Sequence, residues 1–187
     1  MKKIVYISGR LFLASIFCFV FTNLNSQDIK LTRKEQKEAK YAELAANYQT
    51  IDTLLKDRSF VIEANFLENQ YGNRRPVSPI LNFIKVDPSK VTLQIGNTTG
   101  LGYNGLGGIT TDGRMENLRI YRNPRKLTYS IQFSVITNYG TYDISMSVNA
   151  DFAARATISS FTSAKLIYDG DLVPINQSTI YKGQNTF

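Results

Sequence analysis

From Arg58 onward the apolar residues recur at every second position, and that periodicity excludes most folds. Phe60, Ile62, Ala64 and Phe66 alternate with Val61, Glu63 and Asn65. Val91, Leu93 and Ile95 alternate with Thr92 and Gln94. Leu127, Tyr129, Ile131, Phe133 and Val135 alternate with Thr128, Ser130, Gln132 and Ser134. Tyr142, Ile144, Met146 and Val148 alternate with Asp143, Ser145 and Ser147. A strand throws successive side chains to opposite faces, so such a chain builds antiparallel sheet with one face buried and one wet. Eight strands are expected, over 58–66, 80–86, 90–96, 114–122, 126–137, 141–149, 152–158 and 163–169, with a short one near Ser178–Tyr181. Asp87-Pro88-Ser89, Asp112-Gly113, Asn123-Pro124 and Asp169-Gly170 read as turns. Asn138-Tyr139-Gly140 reads as a three-residue hairpin loop with Gly140 in the left-handed position. Short connections of this kind describe a meander, closed as a barrel or folded as a sandwich.

Before Arg58 the period is helical. Thr32-Arg33-Lys34-Glu35 has the S/T-x-x-E form of a capping box. Tyr41, Leu44, Tyr48, Ile51 and Leu55 then follow at steps of 3, 4, 3 and 4, which places them on one stripe of a helix ending near Lys56. The first two turns, RKEQKEAK, are polar all round and are expected to stand in solvent. The sequence thus divides into a leader over 1–26, an N-terminal helix region over 27–57 and an antiparallel β domain over 58–187. The fold class is mainly β (α+β by strict count): one helix packed on an antiparallel sheet or barrel of about eight strands.

The leader has the layout of a secretory signal. Lys2 and Lys3 are basic, Leu11 to Phe21 is an almost unbroken apolar run, and Ser26 is a small residue at the expected cut. The run falls short of the roughly 20 apolar residues that a spanning helix needs, so no membrane span is expected after cleavage. The expected destination is the periplasm or the cell surface. Cys18 lies inside the apolar run behind Phe17, which is a poor lipid-attachment site.

Removing the leader changes the composition. The chain holds 22 Lys+Arg and 15 Asp+Glu, a net +7. Lys2, Lys3 and Arg10 precede Ser26, so 19 basic and 15 acidic residues remain, a net +4. That balance is too weak to suggest a nucleic-acid partner. The one cysteine is removed with the leader, which leaves no disulfide to hold the fold. The chain has no histidine, which excludes a Ser-His-Asp triad, a Cys-His pair and imidazole metal ligands.

The glycine-rich stretch Gly96–Gly108 (GNTTGLGYNGLGG) contains a literal G-x-G-x-x-G from Gly100 to Gly105. A dinucleotide site needs a helix to open on the last glycine, so that its N–H groups meet the pyrophosphate. Ile109-Thr110-Thr111 follows instead, and Asn117 to Tyr142 contains no acid for a ribose. The stretch reads as a loop in which backbone crosses close to backbone, or as a ligand rim with Tyr103 as a stacking face and Asn104 as a polar contact. A second candidate is the basic patch Arg119, Tyr121, Arg122 and Arg125, whose partners would be an envelope glycan, a lipid or a protein. Carboxylates in strand-like segments include Glu63, Glu116 and Asp143, and a hydrolase would need two held close together. Asp169-Gly170-Asp171 alone is too little for a calcium loop. Asp52-Thr53-Leu54 resembles a short bacterial O-glycosylation acceptor at Thr53.

Several segments, taken in order, carry a family resemblance. They are Arg58-Ser59-Phe60-Val61 after a helix, Leu81-Asn82-Phe83-Ile84 with Val86-Asp87, and Gly100–Gly108 with Thr110-Thr111-Asp112-Gly113. Gly140-Thr141-Tyr142-Asp143-Ile144, Tyr168-Asp169-Gly170 with Leu172, and Tyr181-Lys182-Gly183 complete the series. From about Ala39 to Gly183 the chain resembles the secreted Bacteroidetes family catalogued as domain of unknown function 4251. The resemblance implies an envelope location and a helix-plus-sheet architecture. It transfers no catalytic residue. Many members of that family resemble lipoproteins, and Cys18 lacks the context for that here.

The expected function is therefore an exported binding or structural module with no enzymatic activity, cofactor or metal. The alternatives are a small apolar-ligand carrier using a barrel interior and a carboxylate-dependent hydrolase.

Overall fold

The computed structural model describes residues 32–97, 102–160 and 165–186. The leader, its cut at Ser26, Cys18, and the Gly100-Leu101 start of the glycine motif lie outside the described residues. Residues up to Glu38 and those from Ala39 onward form separate units. In the first, Thr32 caps helix α1 (Arg33–Asp57). The Thr32 amide donates to Glu35 Oε2 at 2.7 Å, and the Glu35 amide donates to Thr32 Oγ1 at 3.3 Å, closing the capping box in both directions.

In the second unit α1 packs with Tyr48, Ile51 and Leu55 buried and Leu44 half-buried. Tyr41, placed on the same stripe by spacing, is 62 % exposed, because the helix meets the sheet only from its middle onward. Arg58 ends the helix in the left-handed region (φ 51°), and the Ser59 amide turns back to the Leu54 carbonyl at 3.0 Å.

Among the described residues nine strands follow: β1 (Phe60–Asn69), β2 (Arg74–Pro76), β3 (Phe83–Val86), β4 (Val91–Ile95), β5 (Ile109–Asn123), β6 (Thr128–Thr137), β7 (Gly140–Asn149), β8 (Ala153–Ser160) and β9 (Lys165–Pro174). Every pairing is antiparallel, in the order β1-β3-β4-β5-β6-β7-β8-β9, and β9 returns to β1. The result is a closed eight-stranded barrel, so barrel rather than sandwich is the outcome. β2 is an added strand, pairing with Phe66–Glu68 on the edge of β1 that β3 leaves after Glu63.

Several local expectations are corrected. Asp112-Gly113 lies within β5 and Asp169-Gly170 within β9, because Asp-Gly carries a turn only where no neighbouring strand claims its backbone. The hairpin at 138–140 has a two-residue loop: Thr137 pairs directly with Gly140, whose φ is +129°. Ser178–Tyr181 is not a strand. The stretch from Ser178 to Thr186 runs across the outside of β4 and β5 and bonds to them largely through side chains.

Alternate residues fill the interior. Phe60, Ile62, Ile84, Val86, Val91, Tyr129, Ile131, Phe133, Val135, Ile144, Met146, Val148, Tyr168 and Leu172 are buried in one cluster with the helix residues. α1 covers the end where β5 turns into β6. There the Tyr129 hydroxyl donates to the Tyr48 carbonyl, and Arg122 Nε meets Asp52 Oδ1 at 2.6 Å. The opposite end carries the β4–β5 connection and is the mouth of the barrel.

Candidate ligand site at the barrel mouth

At the mouth, alternation on five strands aims side chains into one recess. Leu93 and Ile95 come from β4, Ile109 and Thr111 from β5, Tyr142 from β7, Ile158 and Ser160 from β8, and Leu166 and Tyr168 from β9. Registry brings them together: Leu93 pairs with Thr111, Ile95 with Ile109, Tyr142 with Ser160, and Ile158 with Leu166. The recess holds about 220 Å³ and its lining is mostly apolar. Tyr168 supplies its floor, with a hydroxyl that reaches the Gln94 carbonyl at 3.1 Å. Burial pushes that phenol well above its usual pKa, so it is a neutral donor. Below Tyr168 the barrel is packed with core side chains. Thr111, Ser160 and Lys165 are the polar residues at the rim, and Ile109 is 48 % exposed there.

The β4–β5 connection stands beside this recess, and Gly107 is tightly packed within it. Gly107 has φ +71°, and a Cβ on it would run into the Asn97 side-chain amide. Asn104 is 1 % exposed. Its Nδ2 donates to the Ile95 carbonyl (3.1 Å) and Thr110 Oγ1 (3.0 Å), while its Oδ1 accepts from the Leu106 (2.9 Å) and Gly108 (3.0 Å) amides. An amide side chain has two donors and two principal acceptor positions, and all are used. Asn104 therefore holds the loop rather than facing a ligand, which corrects its expected place on a rim. Tyr103, one residue earlier, is 77 % exposed. No helix follows the glycines, since β5 begins at Ile109.

The basic patch divides. Arg119 and Tyr121 stand exposed on the outer wall of β5. Arg122 points the other way along the strand and is tied to Asp52, which also meets Lys56 at 2.5 Å. Burial acts to raise the Asp52 pKa, but hydrogen bonds from Lys56 and Arg122 prevail and hold it below the usual carboxylate range. Arg122 thus belongs to the helix–barrel joint, and Arg125 lies in the exposed turn beyond β5. Of the carboxylates expected to serve a hydrolase, Glu63 accepts from the Ser178 hydroxyl at 2.5 Å, Glu116 pairs with Arg114 at 2.7 Å, and Asp143 accepts from Ser134 at 2.7 Å. Asp169 pairs with Arg74 and Arg155, and Asp171 accepts from Asn65, so this acidic pair is spent on cross-strand contacts. Among the described residues no acidic or cysteine cluster is arranged to hold a metal ion. Thr53 is exposed on α1 and donates to the Gln49 carbonyl at 3.2 Å.

Two anchors escaped sequence reading. Gln94 is fully buried on the outer face of β4. Its Nε2 donates to the Leu81 and Tyr181 carbonyls, and its Oε1 accepts from the Gly183 amide and Thr110 Oγ1. Asp112 accepts from Thr92, Lys90, Lys182 and Asn185. Burial works to raise its pKa, but the bonds from Lys182, Thr92 and Asn185 and the Lys182 charge hold it far below the usual carboxylate range. Both residues occupy polar positions of an alternating strand, where a solvent-facing side chain is the default. Only the path of the C-terminal segment covers them.

A profile for "Domain of unknown function (DUF4251)" matches residues 42–172, more than two-thirds of the chain. The chain belongs to this family. A crystal structure of a DUF4251 family protein from Bacteroides eggerthii is similar at 31 % identity with a TM-score of 0.59, covering 72 % of this chain and 91 % of that one. The matched span begins in α1 and ends at Leu172 in β9, so the family unit is the helix together with the barrel. No curated protein matches the chain.

Proposed function

We propose that this family member is an exported, non-enzymatic binding module of the cell envelope that seats a small apolar group in the mouth of its barrel. One observation carries the reading: inward-facing residues from five strands leave an apolar recess of about 220 Å³ above an otherwise filled core. Evolved interiors pack to crystal-like density, so an apolar void open at one end is a feature to explain. Ligand pockets of drug size run to about 300–1,000 Å³, so this recess suits a short chain end or a single ring. The export half of the reading is supported by the charge and hydropathy layout of residues 1–26.

The recess is tested by titrating the protein with octanol and following side-chain methyl resonances. Shifts confined to Leu93, Ile95, Ile158 and Leu166, abolished in Ser160→Phe, are expected. Unmoved methyls, or equal binding by Ser160→Phe, would remove the reading. Export is tested by cell fractionation and N-terminal sequencing, with Gln27 expected as the first residue. Recovery of an uncleaved chain in the cytoplasm contradicts it.

A further inference from the structure

The outer wall of a barrel is convex, and this one is grooved at a break in alternation within β5. In β5 the inward residues are Met115, Leu118 and Ile120, a step of three followed by a step of two. Pairing with β6 shifts between Glu116 and Arg119. The extra residue is Asn117, held in the left-handed region at φ 55°. A bulge bends its strand and re-aims side chains, and asparagine is among the few non-glycine residues that take the left-handed conformation readily. The bend opens a depression of about 460 Å³ on the outer face of β5–β8, lined by Asn117, Arg119, Gln132, Asp143, Ser145 and Thr157 among others.

Registry orders this wall into rows: Glu116–Ser134–Asp143–Ser159, then Arg119–Gln132–Ser145–Thr157, then Tyr121–Ser130–Ser147–Arg155. The three rows span about 13 Å at ~3.3 Å per residue. Several charged side chains near these rows are partnered: Arg114 with Glu116, Arg122 with Asp52, and Arg155 with Glu68 and Asp169. Within the groove, Asn117, Arg119, Gln132, Ser145 and Thr157 make no hydrogen bond to another side chain or to backbone through their side chains among the described residues. Asp143 uses one oxygen on Ser134. Tyr121 lies one row further along, 53 % exposed.

We infer that this groove is a second binding site, separate from the mouth, for a neutral oligosaccharide. A row of amides and hydroxyls offers donors and acceptors together, as a ligand bearing many hydroxyls requires. One guanidinium and one carboxylate in the same groove balance in charge, which favours a neutral ligand over a polyanion. Both form the stronger, charge-assisted class of hydrogen bond to a hydroxyl. Tyr121 provides an apolar ring face for the C–H face of a sugar at one end. The floor residues Phe133 and Ile144 are buried, so the wall lacks the exposed apolar centre that a protein interface uses.

The test is a titration of the full chain with cellotetraose and with tetragalacturonate, read by amide resonances and by calorimetry. Cellotetraose is expected to move the Asn117, Arg119, Gln132 and Ser145 amides. Arg119→Ala and Gln132→Ala should each weaken it at least tenfold, with Arg125→Ala binding as the parent does. Each of these side chains is exposed, so the variants fold, and a parental thermal midpoint confirms that. Absence of saccharide binding, binding of tetragalacturonate alone, shifts that map to the mouth, or parental affinity in both groove variants would each overturn the inference. The step of three at 115–118 was the signal in the sequence that could have located it.

Discussion

The Tyr129 hydroxyl donates to the backbone carbonyl of Tyr48 at 3.0 Å, while the two rings stack with centroids 4.4 Å apart at 22°. This pair joins α1 to the start of β6. It also leaves the Tyr48 hydroxyl buried without a partner. A made and an unmade hydrogen bond thus sit within one aromatic pair, and they predict opposite outcomes. Tyr129→Phe should destabilise by about 1 kcal/mol, since it removes the buried hydrogen bond that ties α1 to β6. Tyr48→Phe should be neutral or stabilising by a few tenths to ~1 kcal/mol, since it removes an unsatisfied buried group. Chemical denaturation of the two variants checks this, and equal losses contradict it.

Two buried phenols, one at each end of the barrel, predict an alkaline limb. Burial raises the Tyr129 and Tyr168 phenols above their usual value. A folded pKa above the unfolded one means that the folded state holds the proton longer. The stabilisation is therefore complete below about pH 10 and fades as pH rises past it. Tyr168→Phe should lower stability at pH 7 yet flatten the decline above pH 10. A decline as steep as the parent's argues against it.

Asp112 predicts the acid limb. Its pKa is depressed in the folded state, so its contribution is complete above about pH 4 and is lost as pH falls further. Asp112→Asn should cost about 1–3 kcal/mol at pH 7, because bonds to charged groups are the stronger class. Below about pH 4 the variant's stability should fall with pH less steeply than the parent's, because it has no carboxylate there to protonate. Hydrogen exchange at Thr186, whose amide bonds to the Thr110 carbonyl at 2.9 Å, reports whether the C-terminal segment loosens first. Unchanged protection there would show that Asp112 does not hold it.

Gln94 predicts how that segment is released. Gln94→Ala leaves two carbonyls, one amide and one hydroxyl without their partner. A loss of about 2–4 kcal/mol is expected, among the larger single-residue effects. Trypsin should then cut after Lys182 several-fold faster, while cutting within the barrel lags. Parental cutting at Lys182 speaks against the role.

Asn104 and Tyr103 are neighbours with unlike roles. Asn104→Ala should cost about 2 kcal/mol through four lost hydrogen bonds. Tyr103→Ala removes a ring that is 77 % exposed, and its effect on the thermal midpoint should be much smaller. Equal midpoint shifts would mean that the loop is not held by Asn104.

The local signals in this sequence were strong where periodicity was strong. The 3-4-3-4 stripe marked α1, and the strict alternation of 128–149 marked β6 and β7 to within a residue or two. Thr32 and Glu35 marked the helix start, because a capping box is satisfied within four residues. β2 escaped notice because three residues, Arg74–Pro76, are too few to show a period. Asp112-Gly113 misled because the same dipeptide serves a turn or a strand, depending on whether neighbouring strands pair with it.

The sequence by itself determined one helix, about eight antiparallel strands, and the inward faces of β4, β6 and β7, because those depend on side-chain period; in β1 the shift at Ala64–Phe66 packs Leu67 rather than the expected Phe66 on the core. Closure of β9 onto β1, the path of the C-terminal segment over Gln94 and Asp112, and the recess above Tyr168 were decided only by the tertiary structure. Each depends on residues far apart in the chain meeting in space. Alternation states that a side chain points outward, and only the packed chain states whether water or another segment of protein lies there.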